Sequence, residues 1–180
     1  MKKYFRKETL IKTSAVLLTA FFISMTIMIM NDPVAKAEDK ASVDCYKETA
    51  KTVVHATAAG LSEILKSVKN EKERVEMIRS FIKPIRFYSD NSGYFYVYDF
   101  NCLNIAHATQ KDLQGKNLYD HKDGKGKYVI RELSAAAKKG GGYVEFYWVK
   151  PGSKAEFRKL GYVEPIPGTN YFIGTGVYLP

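Results

Sequence analysis

Cysteine is scarce: the 180-residue chain has two, Cys45 and Cys102, and no Cys-x-x-Cys pair. That spacing rules out the common structural zinc modules and covalently attached haem. Gly-x-Ser-x-Gly, His-Glu-x-x-His, a Walker loop and a spaced pair of carboxylates are also missing, so no motif for bond-making chemistry is present. Gly124-Lys-Gly126 and Gly174-Thr-Gly176 are too short to cradle phosphate; turns and tight sheet packing explain them better. His107 has no second histidine and no carboxylate cluster near it in sequence, which argues against a metal role, and no cofactor is indicated. The net charge is +9, yet there is no arginine-rich stretch and no nucleic-acid motif, which argues against a DNA or RNA partner. Repeats and low-complexity segments are absent as well.

The longest apolar run lies at the start. Lys2, Lys3, Arg6 and Lys7 precede an almost wholly apolar segment over 13–30, and Ala35-Lys-Ala37 follows with the small-x-small pattern of a leader-peptidase site. The segment therefore reads as an export signal over 1–37 cut after Ala37, or as an uncleaved membrane anchor, since about 18 apolar residues approach a membrane span. Either way the remainder, 38–180, is expected outside the cytoplasm, in the periplasm or at the cell surface. Cleavage takes six Lys/Arg and two Asp/Glu from the total of +9 and leaves +5, a potential that favours small anions. About 143 residues remain, enough for one domain with a real core and no disulfide staple. Cys45 and Cys102 could bridge in an oxidising compartment; alternatively Cys102 is a small buried residue beside a turn and Cys45 a free helical one.

Apolar residues at three- and four-residue steps predict helices over 43–68 and 71–83. Asn70 and Glu73 form a capping pair for the second, and Pro84 ends it. Val75, Ile78, Phe81 and Ile82 are expected on its inner face. The pattern then changes to period two. Strands are expected over 93–99 and 103–106, a helix over 128–139 stopped by Gly140-Gly-Gly, and strands over 143–150, 155–164 and 171–178. Pro151-Gly-Ser and Pro165-Ile-Pro-Gly supply turns between the last three, which implies antiparallel pairing. The fold class is α+β: a long N-terminal helix and shorter helices on a five-stranded antiparallel sheet.

The segment RFYSDNSGYFYVYDFNCLNIAH, 86–107, carries the clearest chemistry. A guanidinium at Arg86 precedes alternating tyrosines at 94, 96 and 98, and an Asp-Phe-Asn turn leads to a strand ending in the imidazole of His107. If the two strands pair, cation, phenols and imidazole converge on a space suited to a small carboxylate. Tyr94 and Tyr96 are expected as pocket walls and Tyr98 as structural. His55 and His121 read as packing and solvated residues.

The runs GYFYVYDFNCLNIAH, LQGKNLYD, KGGGYVEFYW, PGSK, RKLGYV and YFIGTGVY occur in order over about 45–180, and here the chain resembles the single Cache domain family, closest to its exported, stand-alone members. The resemblance implies a PAS-like sheet behind a long helix and an extracytoplasmic sensor of small carboxylates. It also implies ligand contacts from Arg86, Tyr94, His107, an aromatic residue on the third strand (Tyr147 with Trp148) and Lys159. Period two separates Tyr147 from Trp148, and the hydroxyl of Tyr147 makes it the preferred contact, with Trp148 as core. Lys159 in mid-strand must meet the ligand or face water. Ala108 stands where the family usually has proline, which leaves the backbone after His107 less constrained.

The expected function is capture of a C2–C4 acid such as acetate, propionate, lactate or pyruvate, without catalysis. The last predicted strand runs almost to Pro180, so a signal is expected to pass through a separate membrane sensor or chemoreceptor. The long helix leaves room for a homodimer. Two rivals remain: a ligand-free interaction module anchored at its N-terminus, and an exported enzyme with His107 as base.

Overall fold

The computed structural model describes residues 33–179, with side chains from Ser42 onward. The proposed leader and its apolar run over 13–30 lie outside the described residues, apart from 33–37, whose backbone is helical. The chain divides into two units between Asp44 and Cys45, the second of them a compact unit over 45–180. Helix α1 (Pro33–Lys66) gives its first turns to one and its remainder to the other, which also holds every further element. Among the described residues no helix is long and apolar enough to cross a membrane.

Within the second unit α1 buries Ala50, Val54, Ala58, Leu61 and Leu65, a stripe at the helical steps of three and four. Helix α2 (Glu71–Ile82) starts where expected: Asn70 Oδ1 accepts the N–H groups of Lys72 and Glu73 at 2.8 and 3.3 Å. Ile78 and Ile82 are buried, but Phe81 is 37% exposed. At about 100° per residue, Val75 and Ile82 lie on one side of Ile78 and Phe81 on the other, off the contact stripe.

Strands β1 (Tyr96–Asp99), β2 (Asn104–His107), β3 (Gly142–Val149), β4 (Glu156–Pro165) and β5 (Tyr171–Tyr178) form one sheet in the order β2-β1-β5-β4-β3. Every pairing is antiparallel. β1 starts three residues later than its composition suggests, because Gly93 closes a separate small hairpin with Phe87 through hydrogen bonds of 3.0 and 3.2 Å. A Cβ on Gly93 would lie 2.3 Å from the Phe87 ring, so only glycine fits that closure. The β1–β2 turn is built by Asp99, whose Oδ1 accepts from Asn101 and Leu103 at 2.9 and 2.8 Å.

Both edge strands find partners for part of their backbone. Asn104 exchanges backbone bonds with Lys116 and Gly115 along β2. Along β3, the buried carboxylate of Asp123 accepts the N–H of Tyr147 at 2.9 Å and those of Lys125 and Lys127 at 3.0 Å. Those backbone donors outweigh burial and hold the Asp123 carboxyl below the usual carboxylate range.

The two faces of the sheet have different partners. On one, Tyr143 donates to the Lys47 carbonyl of α1 at 2.9 Å, and His55 of α1 meets Glu164 at 3.0 Å. On the other lies helix α3 (Val129–Lys138), which buries Val129, Ile130, Leu133 and Ala137. The two cysteines are not bridged: Cys45 is free and exposed on α1, and Cys102 is free and buried in the β1–β2 turn. The alternative of a small buried thiol beside a turn is the one realised.

Candidate ligand-binding site

The pleat of β1 and the stretch before it turns Tyr94, Tyr96 and Tyr98 to the α3 side, and all three are buried. Tyr96 is paired in register with His107 of β2, so phenol and imidazole are cross-strand neighbours with ring centres 6.2 Å apart. On the far side of β5, Phe146 of β3 is registered with Lys159 of β4. These side chains, with Trp148 and the α3 residues Val129, Ile130 and Leu133, enclose one cavity beneath α3. Its free room is about 10 Å³, enough for about one water molecule.

Lys159 dominates its electrostatics. The side chain is fully buried, and among the described residues its Nζ has no hydrogen-bond partner. Tyrosine rings surround it instead: Nζ lies 4.0 Å from the centre of Tyr94, 4.6 Å from Tyr178 and 5.8 Å from Tyr96. Burial pushes its pKa well below the ordinary lysine value. No carboxylate lines the cavity among the described residues.

His107 is 2% exposed, and its Nδ1 accepts the backbone N–H of Gln110 at 3.0 Å. That bond fixes the proton of the neutral ring on Nε2, which becomes a donor. Burial first, then the positive charges of Lys159 and Arg86, holds its pKa down at about 3, so the imidazole is neutral at physiological pH. The hydroxyl of Tyr178 donates to the Val149 carbonyl at 2.7 Å, so in its 3.3 Å contact with Tyr94 it accepts. Tyr96 donates to the Thr175 carbonyl at 3.3 Å. Burial raises the pKa of Tyr94 and Tyr96 well above the usual value, so both keep their protons and remain donors.

Glycines form the floor. A Cβ on Gly174 would lie 2.6 Å from the Tyr96 ring, and one on Gly176 2.9 Å from Lys159 Cε. These residues let two bulky side chains lie flat across β4 and β5.

Of the six residues expected at the site, the structure gathers Tyr94, Tyr96, His107 and Lys159, and leaves two outside. Tyr147 is half-buried on the opposite face of β3, with Lys125 Nζ 5.5 Å from its ring centre. Trp148, expected as core alone, lines the cavity in its place, because the register sets the even-numbered residues of β3 on the face of Lys159. Arg86 is exposed and is not a lining residue. Its guanidinium folds back onto the negative end of α2, donating to Lys83 and Ile85 carbonyls at 3.2 and 2.6 Å, and reaches Ala108 at 2.8 Å. Tyr98, expected as structural, is a wall residue. Tyr178 was not singled out; alternation along 171–178 places it on the face of Gly174 and Gly176 and was the signal available. The α3 roof carried no sequence signal, since its apolar stripe reads equally as core.

Ala108, where a looser backbone was expected, is held on both sides. Its N–H donates to Phe95 at 3.1 Å, a bond proline could not make, and its carbonyl takes the Arg86 guanidinium.

A family model described as Cache domain matches residues 22–180. The chain belongs to the Cache domain family. The sensor histidine kinase MctS of Rhizobium johnstonii is 32% identical over 149 residues, which are 78% of this chain and 32% of that protein. This Cache chain thus spans about a third or less of the length of the curated relatives it matches. A methyl-accepting chemotaxis protein from Vibrio parahaemolyticus superposes with a TM-score of 0.68 at 33% identity, covering 79% of this chain and 94% of that one. A Cache chemosensory domain whose structure explains carboxylic acid recognition also gives 0.68, at 27% identity and coverages of 78% and 98%. Cache domains are binding and signalling modules, and the relatives are sensor kinases and chemoreceptors.

Proposed function

We propose that this Cache domain is an exported sensor module that captures a C2–C4 carboxylate in the cavity beneath α3 and signals through a separate membrane-bound kinase or chemoreceptor. The observation that carries the reading is the buried, unpartnered amine of Lys159 inside a ring of phenols. An amine in that position is costly unless an anion meets it. Lys159 and the Nε2 proton of His107 would grip the carboxylate, joined by the hydroxyls of Tyr94 and Tyr96 once these turn from their present acceptors, Tyr178 and the Thr175 carbonyl. Val129, Ile130, Leu133 and Phe146 would face the short apolar end. Arg86 acts from outside, by clamping Ala108 and adding positive field. The match to a Cache domain that recognises carboxylic acids supports the same ligand class.

Room for about one water means that even acetate must lift the roof. Displacement of α3, which rests on β3 and β4, would be the first step of signalling. The lone tryptophan, Trp148, is a built-in reporter, since it lies on the cavity wall with its ring centre 6.4 Å from that of His107.

A thermal-shift and fluorescence screen of the full chain against acetate, propionate, lactate and pyruvate tests the proposal. At a hundredfold excess over Kd, ligand should stabilise the fold by about 2.7 kcal/mol. Response to none of these acids would favour a ligand-free interaction module instead.

A further inference from the structure

A second, larger concavity lies outside the cavity wall. It measures about 230 Å³ and is bounded by Arg79, Ser80 and Lys83 of α2 and by Lys111 and Gln114 beyond β2, with Ala108 and His107 completing the lining. We propose that this cleft is a separate binding site for a compact oxyanion of charge two.

The composition of the lining is one-sided: it holds three cations and, among the described residues, no carboxylate. None of the three has an ion-pair partner among the described residues, although five other lysine and arginine side chains of the same unit do. Arg79 is fixed in place, because its Nε donates to the Ile105 carbonyl at 2.8 Å, and its terminal N–H groups are left for the cleft. Arg86 stands against the floor as a fourth cation, bonded to the carbonyls of Lys83 and Ala108. The carboxyl end of α2 explains only part of this charge. A helix terminus carries about half a negative charge, and Arg86 already caps its carbonyls. With Arg86 set against the helix end, the three lining cations leave a surplus of about three positive charges, enough to hold a dianion. The hydroxyl of Ser80 adds a neutral donor.

Size and polarity separate this site from the inner one. The inner cavity has apolar walls and room for about one water, suited to a short monoacid that displaces the roof. The cleft needs no displacement, and its lysines, Lys83 and Lys111, are exposed. Binding there must be electrostatic and strongly screened by salt.

Inorganic phosphate at pH 8 is the probe, titrated into the full chain and followed calorimetrically. Saturable binding is expected, weakened at least tenfold when Lys83→Gln and Lys111→Gln are combined. It should be unchanged within twofold in Lys159→Met and weakened as NaCl is raised. Both glutamines replace exposed side chains, so folding is not at risk, and Lys159→Met reports on the inner site alone. No saturable phosphate binding by the parent chain, or equal binding by the double variant, would overturn the proposal. Loss of phosphate binding in Lys159→Met would do the same, because the inner cavity would then be where phosphate binds.

Discussion

At the scale of single residues, Lys159 and His107 are both buried bases kept from their usual charge state. The sign of their effect on stability is the same. His107 titrates near 6.5 when unfolded and at about 3 when folded, so between those values the unfolded chain binds the extra proton. Stability should therefore fall as pH drops below 6.5, by at most about 1.4 kcal/mol per pH unit from this residue. Urea denaturation across pH 4–7 should show that slope, and His107→Gln should flatten it. Lys159 acts likewise at higher pH: its depressed folded value means that stability falls as pH drops below the ordinary lysine range. Replacing it by methionine removes a buried, unpartnered amine, and stabilisation by about 1–3 kcal/mol is expected in the same assay. A loss of stability would mean that the ring contacts to Tyr94 and Tyr178 outweigh desolvation.

At the scale of elements, the floor of β4 and β5 is the most constrained part. A Cβ at Gly176 would lie 2.6 Å from the Leu160 carbonyl, which is backbone and cannot rotate away. Gly176→Ala should destabilise by about 1–3 kcal/mol, measured by denaturation midpoint, and weaken carboxylate binding by shifting Lys159. Ala108→Pro removes the 3.1 Å bond to Phe95, and about 1 kcal/mol of stability with it. The elements themselves were legible from periodicity. The Asn70 cap, the Asp99 turn and four of the five strands fall where composition and turn residues put them, while β1 is shorter by the residues that the Gly93 closure takes. What periodicity could not supply was which face of β3 lines the cavity, since both carry aromatic residues. Register with β4 decides for Trp148 over Tyr147, and register is a long-range property. Arg86 stays outside the cavity because its guanidinium is claimed by backbone carbonyls, those of Lys83 at the end of α2, of its neighbour Ile85 and of Ala108.

At the scale of the whole molecule, a helix-backed sheet holds one small cavity between β-sheet and α3, and membership of the Cache family agrees with that plan. Capture of an anion by an amine whose pKa is lowered by burial would link binding to protons. A carboxylate beside Lys159 raises its pKa, so a proton is taken up on binding and affinity should fall as pH rises above the value of the free site. Calorimetry in buffers of different ionisation enthalpy would reveal the uptake. His107 and the three tyrosines stay neutral throughout that range and add no opposing titration.

The most direct test is a calorimetric titration of the parent chain and of Lys159→Met with acetate and propionate. Saturable binding in the parent, weakened at least a hundredfold in a variant that is equally or more stable, is the expected result. Equal affinity in the two proteins would show that small carboxylates do not bind against Lys159.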